Sequence, residues 1–236
     1  MSQINKLRKQ IDKIDLQILE LLKKRSKIAI NIGKEKKSNN LFRPERQASI
    51  LKKILKKNKN NIRTSHILSF WRSIFLSQID IQGGIKLVIS NTVSKSSIKT
   101  VYDYFSHDIE IITISNISKA LEKVYKEKNI LMILPYPSDN KDAKWWVNKR
   151  LDSLYAIVAL PFFLEKRKSP SLLILSKYKP TIEKDSYLLY ISKHLIKDKN
   201  IILETKSGKH YLYKSNNKIK NEDLRLFGIL PKHYEN

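Results

Sequence analysis

The chain has no cysteine among its 236 residues, which excludes a disulfide framework, a thiolate metal site and a thiol nucleophile. Glycine and proline are scarce, five and seven in all, with no glycine before Gly33 and no proline before Pro44. Nothing ahead of Gly33 therefore interrupts a helix. Long apolar runs are missing as well. The start, MSQINKLRKQ, carries no signal-peptide core, and the longest apolar run, from Leu154 to Leu164, is short and broken by Pro161. A cytoplasmic protein with no membrane partner is the expectation. The five histidines are scattered without metal-ligand spacing, so neither a metal nor a cofactor is expected.

Acidic residues are also in short supply, 22 against 47 basic ones, for a net charge of +25. Such a balance ordinarily points to nucleic acid or an anionic surface. Only 9 of the basic residues are arginine, the side chain suited to bidentate phosphate contacts, and 38 are lysine. The excess is also spread out, +14 over residues 1 to 82 and +11 over the rest. With abundant Ile and Asn, this reads as a surface drifted toward lysine. What remains is a general pull on small anions, and no nucleic-acid partner is expected.

What the sequence does contain is one long amphipathic helix. From Ile4 to Lys37, apolar residues fall at Ile4, Leu7, Ile11, Ile14, Ile18 and Leu21 and resume at Ile28 and Ile32. At 1.5 Å per residue this is a rod of roughly 50 Å. A small domain cannot cover so long a seam, so a second copy is expected against it. One position in the register is charged: Arg25. A buried guanidinium without an anion would be destabilising by several kcal/mol, which a small dianion would relieve.

The polar break Ser38 to Asn40 ends the rod, and a second helix is predicted over Pro44–Lys57, with Ala48, Leu51 and Leu55 on one face. A third is predicted over Thr64–Gln82, and Gly83 with Gly84 marks a boundary between residues 1–84 and 85–236. Beyond it the period changes. Strands at 86–90, 109–114 and 130–134 alternate with helices at 97–105 and 118–126, a βαβαβ pattern that predicts a small, mostly parallel α/β unit. Further strands are predicted at 154–160, 171–176, 186–192 and 201–205, with His210 to Tyr213 returning from a turn at Ser207-Gly208. Trp145, Trp146, Phe162 and Phe163 read as core and rim packing.

The candidate chemistry lies in the helical part. Arg25 and Lys36 are eleven residues apart, three turns, and project from one face about 16 Å apart. Arg8 lies seventeen residues before Arg25, too far to serve the same pocket in one chain but within reach of the partner's pocket in an antiparallel dimer. Arg46 and Gln47 open the second helix, and Gln82 closes the third.

The stretch LRKQIDKIDLQILELLKKRSKIAINIGKEK, then FRPERQASIL, then WRSIFLSQIDIQ, resembles the all-helical chorismate mutase domain, found alone or ahead of prephenate dehydratase. The resemblance covers residues 4 to 82. It rests on the L-R-x-x-I-D-x-I-D opening, the R-x-x-x-A-x-x-x-G-x-x-K block, the P-E-R segment and a terminal Gln, in that order. It implies an intertwined three-helix homodimer with active sites shared between chains, and chorismate as substrate. Arg25 and the partner subunit's Arg8 would clamp the two substrate carboxylates, while Lys36 and Gln82 would face the ether oxygen. The carboxylate that contacts the substrate hydroxyl in the family falls on Gln47, where an amide can still accept a hydrogen bond. Lesser contact positions fall on Arg43, often acidic in the family, and on Gln78, and Arg46 matches the arginine beside the site. The reaction, an intramolecular rearrangement, asks for restraint and hydrogen-bond donors rather than a nucleophile, base or metal.

Residues 85–236 resemble a reduced and diverged form of the α/β dehydratase domain, through the βαβαβ start and Leu134 to Pro137. The Thr-Arg-containing tripeptide expected for dehydratase catalysis is missing, since no Thr-Arg pair occurs in the sequence. The reading is thus an α plus α/β chain, a chorismate mutase with a non-catalytic or regulatory mixed-sheet unit. A bifunctional mutase and dehydratase is the alternative, and a basic nucleic-acid-binding helical protein is a third.

Overall fold

A computed structural model describes residues 2–35, 40–59, 61–148, 151–164, 169–232 and 234–235. Three helices come first: α1 (Gln3–Glu35), α2 (Pro44–Asn58) and α3 (Thr64–Ile81). The first has no buried residue. Its apolar stripe over residues 4 to 21 stands clear of the rest of the chain, with exposure running from 41% at Ile18 to 63% at Leu21. Only its last third packs, through the half-buried face Leu22, Arg25, Ser26, Ala29, Ile30 and Gly33. The expectation that the rod outruns its own fold holds. Lys36 lies outside the described residues. Among those described, no helix is long and apolar enough to cross a membrane.

The α/β part opens with β1 (Lys86–Ser90), α4 (Lys95–Phe105), β2 (Glu110–Ile114), α5 (Ile117–Lys126) and β3 (Ile130–Pro135). Ser94 starts α4 by accepting from the Ser97 amide, and Asn116 starts α5 by accepting from the amides of Ser118 and Lys119. A 3-10 turn at Lys141–Val147 follows, then β4 (Tyr155–Leu160), β5 (Phe163–Leu164), β6 (Leu172–Ser176), β7 (Ser186–Ser192), β8 (Ile201–Ser207), β9 (His210–Ser215), β10 (Arg225–Pro231) and β11 (Tyr234–Glu235). Nine strands form one mixed sheet in the order β2-β1-β3-β6-β4-β10-β7-β9-β8, and β5 pairs with β11 apart from it. The parallel set predicted from the βαβαβ pattern is confined to β2-β1-β3, plus one parallel contact of β10 with β4. The other pairings of the nine-stranded sheet are antiparallel, since no α-helix crosses over between the strands after β3 among the described residues, while β5 and β11 pair in parallel. The final hairpin turns at Gly208-Lys209, one residue later than predicted.

Alternate residues along the central strands feed two cores. On one face, Val88, Met132, Leu134, Leu173 and Leu175 meet α5 and the two tryptophans. Trp145 and Trp146 are buried and donate their indole N–H groups to the carbonyls of Pro135 at 2.8 Å and Ser138 at 3.2 Å, so both are core. On the other face, Leu87, Ile89, Leu131, Ile133, Leu172 and Ile174 meet α4 and, from the helical part, Phe42 and Ile79. Phe162 is buried in that second core; the side chain of Phe163 lies outside the described residues. The first helices are therefore seated on the sheet by a shared apolar core. This seating fixes where α2 and α3 can present their polar faces.

Candidate active site

The site grows from the crossing of α1 on α3. At Gly33 there is no room for a side chain: a Cβ there would lie 2.9 Å from Gln82 Oε1. Gln82 ends α3, and its Nε2 donates back to the Gln78 carbonyl at 2.8 Å. One turn earlier, the Gln78 amide nitrogen donates to Ser26 Oγ at 2.7 Å, and that hydroxyl donates to the Leu22 carbonyl at 3.0 Å. Gln78 is buried, and its Oε1 has no partner among the described residues. Two amides are thus fixed side by side at the top of the helix pair, with acceptor capacity to spare.

Arg25 leans over the Phe75 ring, 5.5 Å from guanidinium carbon to ring centroid. Burial holds its pKa below the ordinary arginine value. Among the described residues it has no carboxylate partner. A half-buried cation on an aromatic face and without a counter-ion is an anion receptor in waiting.

These groups line one cavity of about 700 Å³, together with Arg43, Arg46 and Gln47 from the start of α2 and an apolar floor that includes Ile50, Trp71 and Ile74. The N-terminal end of α2 carries Pro at its first position, where the missing N–H costs nothing. No aspartate or glutamate lines the cavity among the described residues, whereas Arg25, Lys34, Arg43 and Arg46 do. Six of the eight predicted site residues therefore converge: Arg25, Arg43, Arg46, Gln47, Gln78 and Gln82. Arg8 does not. It is exposed on the free part of α1, about 25 Å along the rod from Arg25 at 1.5 Å per residue. Arg43 is partly committed elsewhere, since its Nε donates to Glu45 at 3.0 Å and its terminal nitrogen to Thr181 at 3.1 Å.

Sequence reasoning gave no site role to Ser26 or Phe75, and held Gly33 only as a position of the R-x-x-x-A-x-x-x-G-x-x-K block. Gly33 was legible, because Arg25, Ala29 and Gly33 repeat every fourth residue on one helix face. Ser26 and Phe75 carry no separate signal, since a lone serine or an apolar-face phenylalanine reads as ordinary packing.

The helical part that holds this cavity is also the part that matches a known family. Residues 7–83 match the family model described as chorismate mutase type II. The chain is 48% identical over 61 residues to the bifunctional chorismate mutase/prephenate dehydratase of Aquifex aeolicus, a span that covers 25% of this chain and 17% of that protein. A longer match, 23% identical over 153 residues, links 65% of this chain to 41% of the protein of the same description in Neisseria gonorrhoeae. The match to the Stutzerimonas stutzeri protein of that description is 25% identical over 132 residues, 53% of this chain and 35% of that one. In each case the matched span is less than half of the relative's length. Among solved structures, prephenate dehydratase from Streptococcus mutans covers 63% of this chain and 98% of its own, at 12% identity and a TM-score of 0.38, too low to establish a shared fold.

Proposed function

We propose that this protein is a cytoplasmic chorismate mutase, an isomerase that rearranges chorismate to prephenate on the route to phenylalanine and tyrosine. The observation that carries the reading is the cavity, lined among the described residues by cations and no carboxylate, into which Arg25, Gln78 and Gln82 converge with the start of α2. In this proposal Arg25 binds one substrate carboxylate. Gln82, with Lys36, donates to the ether oxygen as negative charge grows there, and Gln47 accepts from the substrate hydroxyl. The rearrangement breaks one bond as it forms another within a single molecule, so the residues act by holding the compact conformer and by fixed donors. Arg43 and Arg46 supply positive potential at the mouth.

The second carboxylate is assigned to Arg8 of the partner subunit in a homodimer built on α1. The uncovered apolar stripe supports this, because ten large apolar side chains of α1, from Ile4 to Ile32, stand 41 to 64% exposed in the single chain. Residues 1–84 would then be the mutase unit and 85–236 a non-catalytic or regulatory α/β unit, with no dehydratase role.

Loss of chorismate absorbance tests the activity, and product analysis with and without acid conversion to phenylpyruvate separates the two chemistries. Purified protein should consume chorismate and yield phenylpyruvate only after acid. Failure to consume chorismate at micromolar protein sinks the mutase reading. Phenylpyruvate formed at neutral pH above the spontaneous rate would instead establish the bifunctional alternative. Sedimentation of a fully helical monomer at micromolar concentration would remove the dimer.

A further inference from the structure

The connection between β6 and β7 crosses the N-terminal end of α2, and one side chain in it reaches the cavity wall. Thr181 accepts from the terminal guanidinium nitrogen of Arg43 at 3.1 Å and donates to Glu45 Oε1 at 3.2 Å. Arg43 Nε donates to the same carboxylate oxygen at 3.0 Å. A threonine hydroxyl can give one hydrogen bond while taking another, so the three side chains close a ring. Glu45 is only 2% exposed, and its Oε2 is buried without a partner among the described residues. Both donors therefore fall on one oxygen. Removing either leaves a buried carboxylate half satisfied, which is far more costly than losing a surface contact.

Glu45 is buried because the α/β part covers it. Phe42 and Pro44 beside it are buried too, Phe42 against Tyr104 and Phe105 of α4 at ring separations of 6.3 and 5.3 Å. A second tie, Lys52 to Asp185, lies further along α2, but its side chains are 56% and 47% exposed and it carries little weight. The ring through Thr181, itself exposed, ties the sheet part to the turn that carries Arg43 by way of the buried carboxylate of Glu45.

We infer that Thr181 is a positioning residue for the cavity: through its hydroxyl the α/β part fixes the direction in which Arg43 presents its remaining N–H groups to a bound anion. This rests on the mutase reading of the cavity. The α/β part then acts on the site as a brace, whatever else it does, and Arg43 is held as a fixed fork rather than a mobile surface cation.

Thr181→Val keeps the shape and removes the hydroxyl, whereas Thr181→Ser keeps the hydroxyl. With chorismate as substrate, Thr181→Val should raise KM about three- to tenfold with kcat within about twofold, the scale of one ordinary hydrogen bond lost from a group that acts on the substrate only through Arg43. Thr181→Ser should restore the wild-type KM, which a merely structural role at this exposed position would not require. An unchanged KM in Thr181→Val overturns the inference. A readout free of chorismate keeps this outcome apart from failure of the mutase reading. The Arg43 Nη2–H resonance, from the group that donates to Thr181 and assigned by its loss in Arg43→Lys, should exchange slowly in the wild type and in Thr181→Ser and rapidly in Thr181→Val. Equal protection in all three breaks the brace even if the protein turns over chorismate. If the wild type consumes none, the mutase reading falls, and the same resonance still decides whether Thr181 holds Arg43.

Discussion

Gly33→Ala should leave the protein as stable as before and yet impair it. The added Cβ would lie 2.9 Å from Gln82 Oε1, some tenths of an ångström inside ordinary contact, with the Gln82 Cδ next at 3.7 Å. The obstacle is the end of a flexible side chain, so the Gln82 amide swings away and the helix axes stay. Within α1 the change from glycine to alanine gains about 0.8 to 1 kcal/mol of helix propensity. Against it stands the Gln82 to Gln78 hydrogen bond of 2.8 Å, whose loss costs about 0.5 to 1.5 kcal/mol. The two nearly cancel, and the midpoint of thermal unfolding should move by no more than about 5 °C in either direction. Activity responds differently. A donor displaced by about 1 Å from a developing charge loses on the order of tenfold to a hundredfold in rate. The assay is kcat for chorismate loss alongside circular dichroism melting, on Gly33→Ala, Gln82→Ala and the double variant. If the alanine acts through Gln82, the double variant is no slower than Gln82→Ala alone. Wild-type kcat in Gly33→Ala would refute the assignment of Gln82 to the reacting oxygen, and additive losses would refute the route through Gln82.

Arg8→Ala and Arg25→Ala should each be nearly inactive, and co-refolding them should recover about one quarter of wild-type activity, since half the dimers are mixed and each mixed dimer has one complete site; no recovery despite verified subunit exchange removes Arg8 from the partner's site. Gln47→Glu should be tolerated and should lower KM, because the position lies in the first turns of α2, where a negative charge is favoured by about 0.3 to 1 kcal/mol; a hundredfold fall with intact fold would show that Gln47 meets the substrate another way. Burial pushes the Tyr104 hydroxyl up to about 12 from 10.0, with Arg72 pulling down and Glu45 adding to the rise. A raised folded pKa favours the protonated fold, so the stability is whole below pH 10 and is lost as pH climbs through about 12, a fall of about 2 to 3 kcal/mol. Tyr104→Phe should flatten that alkaline fall in urea midpoints, and an identical fall in both proteins would assign it to other groups.

The helical part was legible because its signals are local. The start of α2 at Pro44 and the end of α3 before Gly83 follow from punctuation, and the strands 86–90 and 186–192 coincide with their apolar runs. β10 was missed for a physical reason. Arg225 to Pro231 contains Gly228 and ends in proline, both marks against a strand, and yet it lies inside the sheet between β4 and β7. Its partner explains the glycine, since a Cβ at Gly228 would sit 2.5 Å from the Ala156 Cβ and 2.6 Å from its carbonyl oxygen. That constraint comes from a residue more than seventy positions away and leaves no trace in the local pattern. In the site the convergence of Arg25, Gln47, Gln78 and Gln82 was legible only through the family resemblance. Spacing alone relates Arg25 to its own helix, not to α3. The contact of Thr181 with Arg43 and Glu45 was invisible, because it is tertiary on both sides.

The two faces of α2 explain why the cavity and the sheet should not be treated as independent. Gln47, Ile50 and Ile54 line the cavity, while Glu45, Ala48, Ser49 and Lys52 line a second hollow of about 350 Å³ against Asp185, Ser186 and Lys232 of the sheet part. One helix of fifteen residues thus forms a wall common to both. The contact is not a loose juxtaposition, since Phe42 and Ile79 bury in the same core as Leu160 and Ile174. A rigid helix transmits displacement along its length better than a loop does, because its backbone hydrogen bonds bind each turn to the next. A change at the β7 end of the sheet must therefore either strain the shared core or shift Gln47 and Arg46 with it. The Glu45 ring resists the second course at the first turn of α2, where the polar side chains of the site begin. On this arrangement the α/β part bears on the cavity through the shared helix rather than by lining it. Its influence should be read in variants that alter Thr181 or Glu45, ahead of variants in the distant strands β8 and β9.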